Sequence, residues 1–107
     1  MALGLVYLMG GQLLELEHCL HGMGGSITGM ICDGGNQGCV MKGVVAVNTA
    51  FTCAHMAMQN TYLDPRHGIN SHSPEETMRN MGRIASPGMV ETERTIVEIM
   101  GEKQVSH

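Results

Sequence analysis

A glycine-rich segment bounded by two cysteines constrains the fold of this 107-residue chain more than any other feature. Cys32 and Cys39 enclose six residues, of which three are glycines that accept positive φ angles without steric cost. Apolar residues precede the segment, and a long apolar run follows it from Val40. Helices and strands do not easily hold such a sequence, so we predict a tight loop with one cysteine at each end.

The rest of the chain shows helical patterns, and strand signals are absent. We predict an all-α fold of about five helices in a single, partial helical domain over residues 1–107. The predicted helices are Met1–Met9, Gln12–Met23, Cys39–Met58 and two that begin at Ser73-Pro74 and Ser86-Pro87.

Local signals predict how several of these helices begin and end. After the glycines at 22, 24 and 25 weaken the second helix, Ser26 is expected to cap a further short turn. Ser73 and Glu76 form a capping-box pattern. The last helix should carry an apolar stripe and fray after Gly101.

The composition of two predicted helices indicates how deeply each should be buried. Met1–Met9 is apolar on almost all sides, which predicts burial inside a larger helical domain or a homo-oligomer. Small residues in Cys39–Met58 permit close helix contacts, so this helix should be central.

The cysteine loop suits a metal site, because thiolates bind soft metals and iron–sulfur clusters. Gly34 and Gly35 would let the backbone approach a cofactor closely and offer N–H groups to its sulfurs. The spacing alone favours the alternative of two buried, inert cysteines. Lys42 lies one turn after Cys39, either as a surface lysine or as a positive charge beside the loop.

A second cysteine-containing group, His18, Cys19 and His21, was considered as a metal site. Adjacent helical residues point in different directions, so we predict a core position for Cys19 and histidines near the surface. Cys53 lies about 21 Å along the helix from Cys39 and cannot share a site with it within one chain.

Composition disfavours other classes of function. Six scattered basic residues, a net charge of −4 and three aromatic side chains disfavour nucleic-acid binding. The longest apolar runs are too short to cross a membrane. Four cysteines without a secretory signal predict reduced thiols and a cytoplasmic protein.

The wording of the loop resembles a known family. Gly29-Met30-Ile31-Cys32-Asp33-Gly34 followed by Cys39-Val40-Met41-Lys42 is similar to the C-terminal region of the iron–sulfur L-serine dehydratases and L-cysteine desulfidases. It is most similar to an uncharacterised branch with the wording GMICDGA and CAMK. The segments 4–11 and 89–100 fit the same region, so the resemblance covers nearly the whole chain but only part of the longer family members.

The resemblance implies a [4Fe–4S] cluster and an α,β-elimination that converts L-serine or L-cysteine to pyruvate and ammonia. Cys32 and Cys39 would be cluster ligands, and Lys42 would contact the substrate carboxylate or offset cluster charge. Asp33 is a candidate base. A further ligand comes from upstream in family members, so the isolated chain is expected to be inactive. The alternatives are a non-enzymatic helical oligomerisation module and a zinc or iron site formed by the two cysteines across a dimer.

Overall fold

The computed structural model describes residues 1–32 and 34–105, and the described residues form α-helices, turns and loops with no strand. The all-α prediction is therefore confirmed. A single π-helical turn, Ile84–Gly88, separates the last two α-helices. The five α-helices are α1 (Ala2–Leu8), α2 (Leu13–Ile27), α3 (Gln37–Met58), α4 (Pro74–Arg83) and α5 (Val90–Val105).

Helix α2 passes without interruption through its glycines, so the predicted cap at Ser26 is wrong. The Ser26 hydroxyl instead donates a hydrogen bond to the carbonyl of Gly22 at 2.5 Å, within the same helix. A Cβ atom on Gly22 would lie 3.1 Å from the sulfur of Cys53. One on Gly24 would lie 3.3 Å from Asn70 Oδ1. The helix therefore carries glycine because α3 and the loop before α4 pack against its backbone.

Helix α4 begins as predicted, with one change at its cap. The Ser73 hydroxyl accepts a hydrogen bond from the Glu76 N–H at 3.4 Å, and Pro74 occupies the first helical position. The Glu76 carboxylate does not complete a capping box with Ser73. It accepts a 2.6 Å hydrogen bond from the Ser71 hydroxyl and so connects the helix to the loop before it.

Both predicted ends of the last helix are wrong. Ser86 has extended backbone angles (φ −150°, ψ 117°), as expected for a residue that precedes proline. Ser86-Pro87 therefore lies in the π-helical turn, and α5 begins only at Val90. The helix also continues past Gly101 to Val105, through residues that favour helix, Glu102 and Lys103.

Helices α1, α2 and α3 pack against one another around a core of small side chains. The prediction that α3 is central is confirmed for its C-terminal half, whereas valines in its N-terminal half are exposed. Small residues at the contacts allow the three backbones to approach closely. The buried core consists of Ala2, Val6, Cys19, Ala50, Cys53, Ala54 and Ala57.

Helix α1 is less buried in this chain than its composition predicts. Ala2 and Val6 are buried, but Tyr7 is 73% exposed and Leu8 is 81% exposed. The reason is geometric, because the chain offers only α2 and α3 for α1 to pack against.

The molecule is elongated, with extents of 53 × 26 × 16 Å. Helix α4 packs against α2, whereas the only described helical segment that α5 contacts is the π-helical turn. Helix α5 also lies beside the cysteine loop, where Met100 contacts Gly34. Within the described ranges, every helix is too short or too polar to span a bilayer.

Candidate metal-binding loop

The two loop cysteines meet as the sequence predicts. The sulfur atoms of Cys32 and Cys39 lie 3.5 Å apart. Each also accepts a hydrogen bond from a backbone N–H: Gly34 donates to Cys32 Sγ and Gly35 donates to Cys39 Sγ, both at 3.3 Å. The loop therefore presents two sulfurs side by side, each supported by its own backbone donor.

Two consecutive glycines make these hydrogen bonds possible. Gly34 has a φ of 91° and Gly35 a φ of 79°, which are values that residues with a Cβ atom rarely adopt. This conformation turns both N–H groups towards the sulfurs. The two glycines thus contribute to the loop by directing their N–H groups at the cysteine sulfurs.

The start of α3 fixes the position of the second cysteine. Asn36 caps the helix, and its Oδ1 accepts a hydrogen bond from the Gly38 N–H at 2.9 Å. Cys39 is the third residue of the helix, so its sulfur lies at the end where the helix dipole is positive. This end favours negatively charged groups, and metal-bound thiolates carry negative charge.

The loop cysteines are accessible, which contradicts the alternative of two buried, inert thiols. Cys32 is exposed and Cys39 is partly exposed. Asp33, the candidate base, lies outside the described residues.

Helix α5 forms a wall beside the loop. The sulfur of Met100 lies 2.5 Å from the place that a Cβ atom on Gly34 would occupy. Between the helix and the loop is a cleft of about 490 Å³ that opens beside the Cys32 thiol. Its lining is mainly aliphatic, with the polar groups of Asn36 and Lys103: Ile31, Cys32, Asn36, Ile96, Ile99, Met100 and Lys103.

The lysine that lines this cleft is Lys103, which no motif in the sequence singles out. Lys42 is half-buried on α3 and does not line the cleft, so its role beside the loop stays a prediction. The spacing of Ile96, Ile99 and Lys103 places them on one face of a helix, which is a usable signal. That this face turns towards the cysteine loop depends on the turn before α5.

The other two cysteines belong to the core. Cys19 is fully buried and Cys53 is 6% exposed. Burial, reinforced by the proximity of Cys53, raises the pKa of Cys19 to about 11. Burial also raises the pKa of Cys53, although a hydrogen bond with Ser26 opposes this effect. The core position predicted for Cys19 is therefore confirmed. Protonated, enclosed thiols are also poor metal ligands.

The histidines near Cys19 also have structural positions, but one prediction about them is wrong. The ring of His18 stacks on Tyr62 with centroids 3.9 Å apart. His21 was expected near the surface, yet it is only 4% exposed, because the loop around Ser71 packs over it. Burial lowers the pKa of His21, and its Nε2 atom has no hydrogen-bond partner.

The loop provides part of the donor set that an iron–sulfur cluster needs. Two accessible thiols, glycine N–H donors and a helix N-terminus suit the edge of such a cluster. Three protein ligands are expected for a cluster with one open iron. In the part of the chain that the structure describes, no three histidine, cysteine, aspartate or glutamate side chains come together as a metal site. Within the described residues the loop therefore offers two of the three expected ligands.

Comparison with known proteins gives one family. The family model for the serine dehydratase alpha chain matches residues 1–98. No solved structure matches the chain.

Relatives of the chain are proteins of the group UPF0597. One from Clostridium botulinum (strain Hall) is 48% identical over 99 residues, which are 92% of this chain and 23% of that protein. One from Aeromonas salmonicida is 36% identical over 100 residues, with 94% and 23% covered. One from Caldanaerobacter subterraneus is 36% identical over 104 residues, with 97% and 25% covered. The chain thus spans about a quarter of the length of these relatives, and it belongs to the serine dehydratase alpha chain family.

Proposed function

We propose that this chain is a portion of an iron–sulfur-dependent lyase that performs α,β-elimination on L-serine or L-cysteine. Family membership supports the reaction class, and the pairing of Cys32 with Cys39 carries the proposal for this chain. The two thiolates would hold one edge of a [4Fe–4S] cluster. A third ligand would come from a segment that the longer relatives possess. Reduced thiols of this kind are maintained in the cytoplasm, where we place the protein.

When bound, the cluster would supply a Lewis acid for the β-leaving group, which is hydroxyl for serine and thiol for cysteine. The residues of this chain would have three tasks. Gly34 and Gly35 donate hydrogen bonds to the ligand sulfurs, and the mainly aliphatic cleft beside Cys32 would receive the substrate. A lysine ammonium, Lys42 or Lys103, would bind the substrate carboxylate. A base, for which Asp33 is the candidate, would take up the α-proton as the β-leaving group departs, and the resulting enamine would hydrolyse to pyruvate and ammonia.

The test uses a chimera in which this chain replaces the matching quarter of the Clostridium botulinum relative. After anaerobic cluster reconstitution, the relative, the chimera and its Cys32→Ala variant are assayed for pyruvate from L-serine and from L-cysteine. The proposal predicts pyruvate from the relative and the chimera but not from the variant. If the relative releases pyruvate and the chimera does not, this chain has lost the site. Absence of pyruvate from both, with clusters loaded, overturns the lyase assignment.

A second candidate is a non-enzymatic helical module that assembles with other chains or with a further segment of the kind that the longer relatives possess. Exposed apolar side chains on α1 and the first half of α3 favour it, because apolar side chains left exposed in such number are typical of contact surfaces. They include Leu3, Tyr7, Leu8, Val40, Met41, Val44 and Val45. Sedimentation of the isolated chain separates the two arrangements: a self-associating module forms stable oligomers, whereas a fragment of a larger domain aggregates or stays monomeric.

A further inference from the structure

The two loop sulfurs are close enough to react with each other as well as to bind a metal. Their separation of 3.5 Å is about 1.5 Å longer than a disulfide bond, a gap that small side-chain rotations can close. Flexible glycines between the cysteines lower the strain of such a closure. Cys19 and Cys53 do not compete, because both are enclosed in the core.

We propose that Cys32 and Cys39 form a reversible disulfide with each other when the loop carries no metal. The co-reactant is a small disulfide such as oxidised glutathione. The consequence for regulation rests on the proposed function: the disulfide occupies both thiolates, so the oxidised loop cannot accept a cluster. Closure itself does not depend on the lyase assignment.

The reaction proceeds in two exchange steps. Cys32, the more exposed of the two, loses its proton, and its sulfur attacks the disulfide of oxidised glutathione. A mixed disulfide forms and one glutathione leaves as a thiolate that takes up the proton. Cys39 then loses its proton and attacks the Cys32 sulfur, which releases the second glutathione. The two cysteines lose two electrons and two protons in total, and one glutathione disulfide is reduced to two thiols.

The position of Cys39 suits the second step. Its sulfur lies in the first turn of α3, 3.5 Å from the Cys32 sulfur that it must attack, and a hydrogen bond from the N–H of Gly35 holds it there. The adjacent Cys32 sulfur accepts its own hydrogen bond from Gly34, which keeps it beside Cys39. The glycine turn therefore aligns both sulfurs for exchange.

The experiment uses the whole reduced chain, free of metal, incubated anaerobically with oxidised glutathione. Intact mass after alkylation under denaturing conditions shows how many thiols have reacted, and peptide mapping without reductant shows which are joined. The proposal predicts two alkyl groups per chain instead of the four of the reduced chain, no bound glutathione, and a Cys32–Cys39 linkage. Cys39→Ser should retain glutathione on Cys32 at least tenfold longer than the parent chain retains any adduct. Cys53→Ser, the matched core control, should behave as the parent.

Stable glutathione adducts on the parent chain, or a linkage that involves Cys19 or Cys53, would overturn the proposal. Cluster reconstitution of the chimera with the Clostridium botulinum relative, before and after oxidation and again after dithiothreitol, tests the regulatory consequence. If the disulfide forms but the reduced chimera accepts no cluster, the proposed function fails while the disulfide assignment stands. If the oxidised chimera accepts a cluster as well as the reduced one, the blocking effect is wrong.

Discussion

Met100 of α5 packs against Gly34 of the cysteine turn. The thioether sulfur occupies space 2.5 Å from where a Cβ atom on Gly34 would lie, and the methyl carbon lies 2.9 Å from it. Gly34 has a positive φ and also donates the hydrogen bond to Cys32. One glycine therefore determines both the conformation of the metal-binding loop and the contact with α5.

Alanine substitutions at Gly34 and Gly35 separate the effect of the backbone conformation from the effect of the Met100 contact. Gly34→Ala and Gly35→Ala should each lower the free energy of unfolding by about 1–2 kcal/mol, because both place an alanine in the left-handed backbone region that its Cβ atom disfavours. Gly35 has no neighbour within 4 Å of its Cβ position, so only Gly34→Ala should lose additional stability through displacement of Met100. Urea denaturation measures both values.

A double-mutant cycle tests the contact directly. In a Met100→Ala background the additional loss for Gly34→Ala should vanish, and the two glycine variants should become equivalent. Equal losses for the two glycine variants in the parent chain would contradict the close contact between Met100 and Gly34.

Removal of the Asn36 cap should weaken the start of α3. Asn36→Ala removes the acceptor for the Gly38 N–H and should lower the free energy of unfolding by about 1 kcal/mol. Asn36→Ser, which keeps a capping oxygen, should recover most of this loss. Gln37→Ala, on an exposed neighbouring residue, should have little effect. A Gln37→Ala loss equal to that of Asn36→Ala would show that the cap oxygen is not the cause.

The four cysteines should divide into two pairs by reactivity. At pH 8, a thiol whose pKa is about 11 is ionised in about one molecule in a thousand, and Cys19 is in addition inaccessible. A disulfide reagent should therefore modify two thiols per native chain quickly, and the remaining two only after denaturation. In Cys32→Ser the fast count should fall to one, whereas Cys53→Ser should leave it at two. Four fast thiols in the native chain would contradict the buried core positions.

His21 should make stability depend on pH. Its pKa is lowered from the ordinary value of 6.5, chiefly by burial, so the folded state binds this proton less readily than the unfolded state. Its contribution is fully present above pH 6.5 and is lost as the pH falls towards the lower folded-state pKa. Among the groups that face His21, Glu17 raises its pKa, whereas His18 and His72 lower it.

The measurement compares denaturation at pH 7.5 and at pH 5.5. The parent chain should lose more stability between these values than His21→Gln, which cannot titrate. His67→Gln, an exposed histidine, serves as the matched control and should retain the pH dependence of the parent chain. An unchanged pH dependence in His21→Gln would show that another group causes it.

Sequence alone predicts the parts of the site that depend on local chemistry. The glycine turn with a cysteine at each end, and the start of the helix that follows it, depend on residues within eight positions of each other. The spacing of Cys32 and Cys39 alone does not predict that their sulfurs lie side by side. The contact with Met100 is not predicted either, because it depends on how the π-helical turn directs α5. Likewise, no local signal in the sequence shows that the loop around Ser71 covers His21. The exposure of α1 differs from its pattern because only α2 and α3 pack against it among the described helices.

The most direct test of the cluster site is anaerobic iron–sulfide reconstitution of this chain with excess 2-mercaptoethanol, which supplies the thiolate ligands that the described residues do not. Protein-bound iron and sulfide are measured after gel filtration in the parent chain, Cys32→Ala, Cys39→Ala and the core control Cys53→Ser. Circular dichroism confirms that each variant is helical.

Our account predicts about four iron and four sulfide per chain in the parent and in Cys53→Ser, and loss of bound iron in Cys32→Ala and Cys39→Ala. One metal ion per chain without sulfide would indicate a simple metal site. A folded parent chain that binds no iron, or loop variants that bind as much as the parent, would contradict the assignment of Cys32 and Cys39 as cluster ligands.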